Sequence, residues 1–245
     1  MTKRADVALV ERGLFPSRAK AREAIEAGLA LVDGKVLRKP SEPVSDESQV
    51  EATAPYPWVS RGGLKLDAAL DHFGINPQGR ICLDIGASTG GFTDVLLSRG
   101  AAHVYAVDVG HGQLHPRIAS DARVTSLEGM DARALTSGVF DGRAAPSLVV
   151  FDVSFISLRL VAPPALQWAS QDASCVALIK PQFEAGRDAT RKGIVRDEAI
   201  HARVCDDIRS LMQECGWTVI GLTPSPIAGG DGNREFLIGA RRTRT

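Results

Sequence analysis

The sequence predicts an α/β fold, in which a small α+β domain precedes a doubly wound, mostly parallel sheet of seven strands. Three observations predict it. Seven short apolar runs alternate with helical patterns after about residue 58. The first of these runs leads directly into a glycine-rich turn, and the first 57 residues contain helices, strands and turns of their own. We therefore expect two domains, residues 1–57 and 58–245.

Residues 3–28 of the small domain predict two helices. Gly13-Leu-Phe-Pro16 separates them, and Ser17 is placed to cap the second helix, which ends near Ala27 with its side chain inward. The remaining elements are a strand at 29–32, an Asp33-Gly34 turn, a return strand at 35–37 and a short strand near 49–51. A segment rich in Pro, Ser and acidic residues then leads to residue 57, and we interpret its end as a linker.

The large domain opens with an amphipathic helix over residues 64–73. The seven predicted strands are short apolar runs, at residues 81–85, 104–109, 124–127, 148–151, 176–179, 218–222 and 236–240. Ligands of such sheets bind at the carboxyl ends of the strands, so the residues that follow the strands are candidates for a site.

Composition indicates an ordinary globular protein, 44% hydrophobic with zero net charge. The charge is unevenly distributed, because residues 1–39 hold nine Lys/Arg against five Asp/Glu. The four cysteines form no C-x-x-C pair, which favours reduced thiols over metal ligands. No signal-peptide core and no membrane-spanning apolar run is visible, so we expect a cytoplasmic protein without membrane association.

The segment Asp84-Ile-Gly-Ala-Ser-Thr-Gly-Gly-Phe-Thr-Asp94 joins the first strand to a helix, as in Rossmann-like nucleotide sites. It lacks the third glycine of G-x-G-x-x-G, and Asp84 would repel a pyrophosphate. The same acid would attract the amino group and sulfonium of S-adenosyl-L-methionine (SAM), which we therefore predict as the cofactor. Its candidate ligands in this segment are Asp84, Gly86, Ser88, Gly90, Gly91 and Phe92.

Acids also follow the next three strands. Asp108 is placed to accept both ribose hydroxyls, Asp131 to accept the adenine amino hydrogen with Met130 against the ring, and Asp152 follows the fourth strand. Any one of these acids alone is more often a solvated loop carboxylate or a helix cap. Four acids at successive strand ends favour a ligand site.

The residues also restrict the methyl acceptor. The fourth strand is not followed by the Asn/Asp-Pro-Pro-Tyr/Phe motif of amine methylation, and the Pro-Cys pair of pyrimidine carbon-5 methylation is absent. A hydroxyl acceptor remains, and its proton has to be removed as the bond forms. Lysines with a lowered pKa, oriented by carboxylates, suit this task. The candidates are Lys65, Asp152, Lys180 and Glu235. Any one of them alone is more often a surface residue or a member of an ion pair. All four at one edge of a sheet favour a catalytic role.

The order of these four residues resembles the K-D-K-E tetrad of FtsJ-like ribose 2′-O-methyltransferases. Six segments are similar to the TlyA family, also known under the name hemolysin A: Ser60-Arg-Gly-Gly-Leu-Lys65, the 84–94 turn, Asp152-Val-Ser-Phe-Ile-Ser157, Ile179-Lys-Pro-Gln-Phe-Glu184, Gly193-Ile-Val-Arg-Asp197 and Gly232-Asn-Arg-Glu-Phe236. The small domain resembles the RNA-binding domain of ribosomal protein S-four, through Arg4, Asp6, Leu9, Gly13, Ser17-Arg18, Ala21, Ile25, Gly28, Val32, Gly34 and Pro40.

The resemblance implies SAM-dependent 2′-O-methylation of cytidine in ribosomal RNA, on assembled ribosomal subunits, with the tetrad deprotonating the hydroxyl. Shorter family members act on the large subunit, so the end of this chain soon after its last strand favours 23S rRNA, with 16S rRNA as the other target. Two alternatives are a catalytically silent rRNA-binding assembly factor and a membrane-active hemolysin. We expect a monomer without a metal ion.

Basic residues provide candidate contacts to RNA phosphates, where the default reading is a solvated surface. In the small domain and at the start of the large one they are Arg4, Arg18, Lys20, Arg22, Lys35 and Arg61, with Lys39 beside them. Arg187, Arg191, Lys192 and Arg196 flank the predicted active site. Phe155 and Phe183 either stack on a splayed base or pack against apolar neighbours.

Overall fold

The computed structural model describes residues 1–140, 142–186, 189–190, 193–229 and 232–242. The chain divides into two compact units, Met1–Pro57 and Trp58–Thr245. Each unit encloses an apolar core of its own. Over the described part of the chain, every helix is too short or too polar to cross a membrane.

The N-terminal unit contains two helices, α1 (Ala5–Glu11) and α2 (Arg18–Glu26), and five short strands. The strands are β1 (Thr2–Arg4), β2 (Ala30–Val32), β3 (Lys35–Val36), β4 (Pro43–Ser45) and β5 (Val50–Ala52). Antiparallel pairing joins β3, β2 and β5 in one sheet and β1 with β4 in another. Leu9, Phe15 and Ile25 are buried in the core between these elements.

Local sequence explains most of these boundaries. Ser17 caps α2 as predicted, because its Oγ accepts a hydrogen bond of 3.3 Å from the Lys20 amide. Asp33 and Gly34 have φ values of 49° and 75°, as a tight hairpin turn requires. Ala27 is exposed rather than inward, since α2 has already ended there. The β1–β4 pair was not predicted, because β1 is exposed throughout and carries no alternating apolar signal.

The C-terminal unit is built on a seven-stranded sheet. Its strands are β6 (Ile81–Ile85), β7 (His103–Asp108), β8 (Val124–Glu128), β9 (Leu148–Phe151), β10 (Ser174–Ile179), β11 (Trp217–Pro224) and β12 (Phe236–Arg242). The spatial order is β11-β12-β10-β9-β6-β7-β8, and β12 runs antiparallel to both of its neighbours, β11 and β10, while the other pairs are parallel. The predicted fold class is confirmed, and all seven strands occur at the predicted places.

Helices cover both faces of this sheet. They are α3 (Gly62–Phe73), α4 (Gly91–Ser98), α5 (Pro116–Ala119), α6 (Leu158–Leu166), α7 (Pro181–Glu184) and α8 (Glu198–Glu214). Successive strand residues point to opposite faces. Cys82 therefore belongs to the core under α3 and α4, and Leu83 to the core under α6 and α8. With both faces covered, the central strands are buried along their length, which explains their continuous apolar runs.

The sheet order determines which residues share the edge where a ligand can bind. The strands β10, β9 and β6 are parallel neighbours, so Lys180, Asp152 and Gly86, which directly follow them, lie side by side. The strand β12 runs the opposite way, with Phe236 opposite Ile179. Its start therefore brings Glu235 to the same edge.

Candidate active site and basic surface

Two cavities lie at the carboxyl ends of the central strands. The larger, of about 580 Å³, is bounded by the ends of β6, β7 and β9, a size that suits a nucleoside-containing ligand. The smaller, of about 190 Å³, lies toward α3 and β10. Gly86, Ser88, Asp152 and Ser154 line both cavities, so the two are adjacent.

The turn after β6 approaches the end of β9 very closely. Gly86 has a φ of 86°, and a Cβ atom at this position would lie 2.6 Å from the Asp152 carbonyl oxygen. Only glycine combines this backbone conformation with this contact. Of the other predicted cofactor ligands in the turn, Ser88, Gly91 and Phe92 line a cavity, whereas Gly90 lines neither and instead packs close to Leu114 and Ile118.

Asp84 is completely buried beneath this turn and lines neither cavity. Its Oδ2 accepts a hydrogen bond of 2.6 Å from Thr93 Oγ1, while Oδ1 has no hydrogen-bond partner among the described residues. Burial raises the pKa of Asp84 to about 7, the Thr93 hydrogen bond opposes that shift, and the charge of Asp152 adds to it. A cation bound near the turn would supply the interaction that Asp84 Oδ1 lacks.

Asp108 is fixed by backbone amides at the wall of the larger cavity. The Gly110 amide donates to Oδ1 at 2.7 Å and the Ser88 amide to Oδ2 at 2.8 Å. Each carboxylate oxygen keeps a second lone pair, so the carboxylate can still accept hydrogen bonds from a diol. This geometry fits the ribose contact predicted from the sequence.

The two residues predicted to contact adenine lie at the larger cavity. Met130 and Asp131 both line it, and Asp131 is paired with Arg133 through both carboxylate oxygens, with Arg133 Nη2 2.6 Å from Oδ2. The arginine hydrogen bonds hold the pKa of Asp131 below its usual range. Asp131 therefore borders the cavity while paired with Arg133, and its contact with the adenine amino group stays a prediction.

The four predicted tetrad residues form two lysine–carboxylate pairs. Lys65 Nζ lies 2.5 Å from Glu235 Oε2, and Lys180 Nζ lies 2.7 Å from Asp152 Oδ1. Lys65, Asp152 and Lys180 line the smaller cavity, and Glu235 lies behind Lys65 with 2% of its side chain exposed. Three of the four residues thus line one cavity, and the fourth reaches it only through its contact with Lys65.

Two neighbouring groups support this arrangement and were not predicted. Ser154 Oγ accepts a hydrogen bond of 2.7 Å from Lys180 Nζ, which fixes the amine between a carboxylate and a hydroxyl. Glu184 in α7 accepts hydrogen bonds from Ser157 Oγ and the Leu158 amide, at 2.5 and 2.8 Å. It thereby ties the loop after β9 to α7. Serines and glutamates of this kind carry no distinguishing signal in one sequence.

The side chain of Phe155 is 91% exposed at the rim of the larger cavity. Its φ of 64° lies in the left-handed region, which is rare for an aromatic residue. The Phe155 ring centroid lies 5.2 Å from that of Phe183. Phe155 thus contacts an apolar neighbour and also leaves most of its ring exposed, so both readings of this residue stay open.

The basic residues fall into three groups. Arg4, Arg18 and Arg22 surround Asp6 on the surface of the N-terminal unit, and Lys35 is exposed on β3. Arg61 is exposed and lines the smaller cavity. Arg196 is exposed, whereas Arg187, Arg191 and Lys192 lie outside the described residues.

Lys20 departs from the prediction that it faces RNA. Its Nζ lies 2.6 Å from Tyr56 Oη and 3.5 Å from Glu23 Oε2, and 4.2 Å from the centre of the Tyr56 ring. Burial lowers the pKa of Lys20, against the opposing charge of Glu23. Lys20 thus anchors the end of the N-terminal unit to α2 rather than presenting an unengaged ammonium group.

Comparison with known proteins defines the class. Residues 58–242 match the FtsJ-like methyltransferase family, and residues 3–50 match the S4 domain. A 16S/23S rRNA (cytidine-2′-O)-methyltransferase TlyA of Mycobacterium tuberculosis is 47% identical, over 97% of this chain and 89% of the relative. A 23S rRNA (cytidine-2′-O)-methyltransferase TlyA of Campylobacter jejuni is 34% identical, over 74% of this chain and 69% of the relative.

Solved structures agree with this assignment. A protein of Streptococcus thermophilus, which has a provisional hemolysin name, superimposes with a TM-score of 0.78 at 42% identity, covering 100% of this chain and 90% of that one. The fold and both family matches make the protein an FtsJ-like methyltransferase with an N-terminal S4 domain. Within that class the chain belongs to the TlyA family.

Alanine substitutions at two glycines distinguish the steric clash of a Cβ atom with neighbouring backbone from the strain of a positive φ. We expect Gly86→Ala to weaken SAM binding at least about tenfold, because its methyl group would displace the end of β9. The matched control is Gly216→Ala, where φ is 80° but a Cβ meets no atom within 4 Å. It should cost about 1–2 kcal/mol of stability from strain alone and leave SAM affinity unchanged. Calorimetric titration and thermal unfolding check both; equal SAM affinity in the two variants would contradict the close-approach argument.

Asp84→Asn should have opposite effects on stability and binding. The folded-state pKa of about 7 exceeds the ordinary value of 3.8, so Asp84 progressively destabilises the ligand-free protein as pH rises from about 4 to 7. At pH 8 the asparagine variant should be more stable than wild type, by at most about 4 kcal/mol, and at pH 4 equally stable. Its SAM affinity should fall.

Thermal unfolding at several pH values and titration with SAM measure the two effects of Asp84→Asn. Asp206→Asn, which alters an exposed carboxylate of α8, is the control and should change neither. A loss of stability in Asp84→Asn at pH 8 would refute the conclusion that the charge of Asp84 destabilises the ligand-free protein.

Proposed function

We propose that this protein transfers the methyl group of SAM to the 2′-hydroxyl of a cytidine in ribosomal RNA. The observation that carries the proposal is the pair of lysine–carboxylate contacts at one small cavity, directly beside a cavity of nucleoside size. The names of both TlyA relatives support cytidine 2′-O-methylation, and both include 23S rRNA. We therefore take 23S rRNA in the large subunit as the first target and 16S rRNA as the second.

The larger cavity suits the cofactor in shape and in donor chemistry. Asp108 would accept the ribose hydroxyls, the Gly86 backbone would lie against the ligand, and Met130 would contact the base. The buried Asp84 carboxylate would attract the cationic end through its unpartnered Oδ1. When bound, SAM supplies an electrophilic methyl group on a sulfonium.

Lys180 is the proposed proton acceptor. Its Nζ is fixed by Asp152 and Ser154 at the wall shared by the two cavities. Asp152 and Ser154 would hold Nζ toward the substrate hydroxyl, and Lys180 in its neutral amine form would accept the hydroxyl proton as the oxygen is methylated. Lys65, held by buried Glu235, contributes a fixed positive charge beside the oxygen that loses its proton. Asp152 thus orients the proposed proton acceptor and also lines the cavity proposed for the cofactor.

RNA positioning is assigned to basic groups of each unit. In the N-terminal unit we propose phosphate contacts by Arg4, Arg18, Arg22 and Lys35, with Lys20 supporting them through its contact with Tyr56. Arg61 would hold RNA at the smaller cavity. The exposed ring of Phe155 would stack on an unstacked base. Ribosomal subunits are the proposed partner, and the cytoplasm is the corresponding compartment.

Methyl transfer tests the function directly. Purified protein, labelled SAM and unmodified ribosomal subunits should yield an alkali-resistant linkage at a cytidine of 23S rRNA, because a 2′-O-methyl group blocks alkaline cleavage. Lys180→Ala should lower turnover at least about a hundredfold while SAM binding persists. Lys180→Arg keeps a cation beside Asp152, but a guanidinium stays protonated and cannot accept the hydroxyl proton, so this variant should be equally inactive.

Three outcomes of this assay would count against the proposal. Methylation of a base would overturn the hydroxyl acceptor, and binding of subunits without transfer would favour a catalytically silent assembly factor. A normal rate in Lys180→Arg would exclude Lys180 as the proton acceptor.

The Lys65–Glu235 pair allows stability to be separated from catalysis. Glu235→Gln leaves a buried ammonium without its counter-ion and should destabilise the protein by about 3–5 kcal/mol. Combining it with Lys65→Met removes both charges and should restore much of that stability without restoring turnover. Denaturant unfolding and single-turnover methyl transfer provide the two readouts. Substantial turnover in the double variant would show that the pair is structural only.

A further inference from the structure

A buried carboxylate lies among the arginines of the N-terminal unit. Asp6, the second residue of α1, has a relative exposure of 0%. Arg4 donates to Oδ1 from Nε at 3.0 Å and to Oδ2 from Nη2 at 3.3 Å. Arg18 donates to Oδ2 from Nε and Nη2, at 3.2 and 2.9 Å, and Arg22 donates from Nε at 2.9 Å. Three guanidinium groups therefore converge on the oxygen Oδ2.

Electrostatics keep this acid charged. Burial by itself would raise the pKa of Asp6, but the hydrogen bonds from Arg4, Arg18 and Arg22 outweigh it and hold the pKa well below its usual range. Without the carboxylate, three positive groups at this separation would repel one another and their side chains would spread. Asp6 therefore fixes both the position and the direction of the arginines.

The arginines keep binding capacity on their outer side. Their side chains remain 48%, 53% and 46% exposed for Arg4, Arg18 and Arg22. Each also has at least one Nη nitrogen without an acceptor in the described parts of the chain. Arginine donates in a planar fork that matches phosphate oxygens, so the outward edges of this cluster suit one phosphodiester or two adjacent ones.

We propose that Asp6 is a positioning residue for RNA, which builds a phosphate-binding site from Arg4, Arg18 and Arg22. The proposal rests on the RNA-binding role assigned above. It adds an acidic residue, whose negative charge disfavours direct contact with a phosphate. Arginines that are already ordered lose less side-chain freedom on binding. The proposal requires this gain to exceed the repulsion between the phosphate and the Asp6 carboxylate, whose negative charge is already opposed by three guanidinium groups.

The test uses an acid whose removal should weaken binding to a polyanion. With the full-length protein and an rRNA fragment, fluorescence anisotropy at several salt concentrations should show Asp6→Asn binding at least about tenfold more weakly, although its net charge is more positive. The slope of log K against log salt should shrink by about 0.9 for each phosphate that the arginines no longer neutralise. Glu26→Gln, an exposed acid at the end of α2, is the matched control and should bind equally or more tightly.

A second variant covers the case in which Asp6→Asn unfolds the N-terminal unit. Arg22→Lys keeps the charge but loses the Nε donor to Asp6, and should reduce affinity while Arg4 and Arg18 keep the buried carboxylate paired and the unit folded. Failure of the wild type to bind rRNA would refute the proposed function itself. Wild-type binding together with equal or tighter binding by folded Asp6→Asn, or by Arg22→Lys if the former is unfolded, would overturn the role of Asp6 alone.

Discussion

The active-site edge depends on buried charges that must be paired. Lys65 and Glu235 are separated by 170 residues, yet their ion pair is almost completely buried. Removing either charge from water is unfavourable unless its partner is in place, so the start of β12 and helix α3 have to reach their positions together. The antiparallel pairing of β12 with β10 then brings this pair beside Lys180 and Asp152. The sheet topology and the charge pairing therefore support each other.

Much of the fold follows from sequence pattern, because covered parallel strands need apolar residues throughout. The residue types of the tetrad were also predictable, since Asp152 and Lys180 follow strands that share one edge, Glu235 precedes another strand and Lys65 lies in the helix before the first strand. Which lysine contacts which carboxylate was not predictable, because it depends on the order of the strands in the sheet. The same limit applies to single contacts. The sequence did not reveal that Arg133 pairs with Asp131 or that Tyr56 lies over Lys20.

Net charge conveys little about this protein. The zero total conceals arginines on the N-terminal unit whose positions are fixed by an acid, and a site in which each lysine contacts a carboxylate. A count of basic residues would rank Lys20 with Arg18 and Arg22. The contacts separate them, because Lys20 is held by Tyr56 and Glu23 within the unit while the arginines keep outward-facing donors. Geometry, more than composition, therefore decides which basic groups remain for a polyanion.

Two completely buried aspartates illustrate how the surroundings of one side chain determine its task. Asp6 accepts hydrogen bonds from three arginines, and its pKa is lowered despite burial. Asp84 accepts one side-chain hydrogen bond, from Thr93, and burial raises its pKa to about 7. A saturated carboxylate has no capacity left for a ligand and can only position its neighbours. An unsaturated one is costly in the ligand-free protein, and under the proposed function the cationic end of SAM would recover that cost, so that stability of the turn after β6 would depend on occupation of the site.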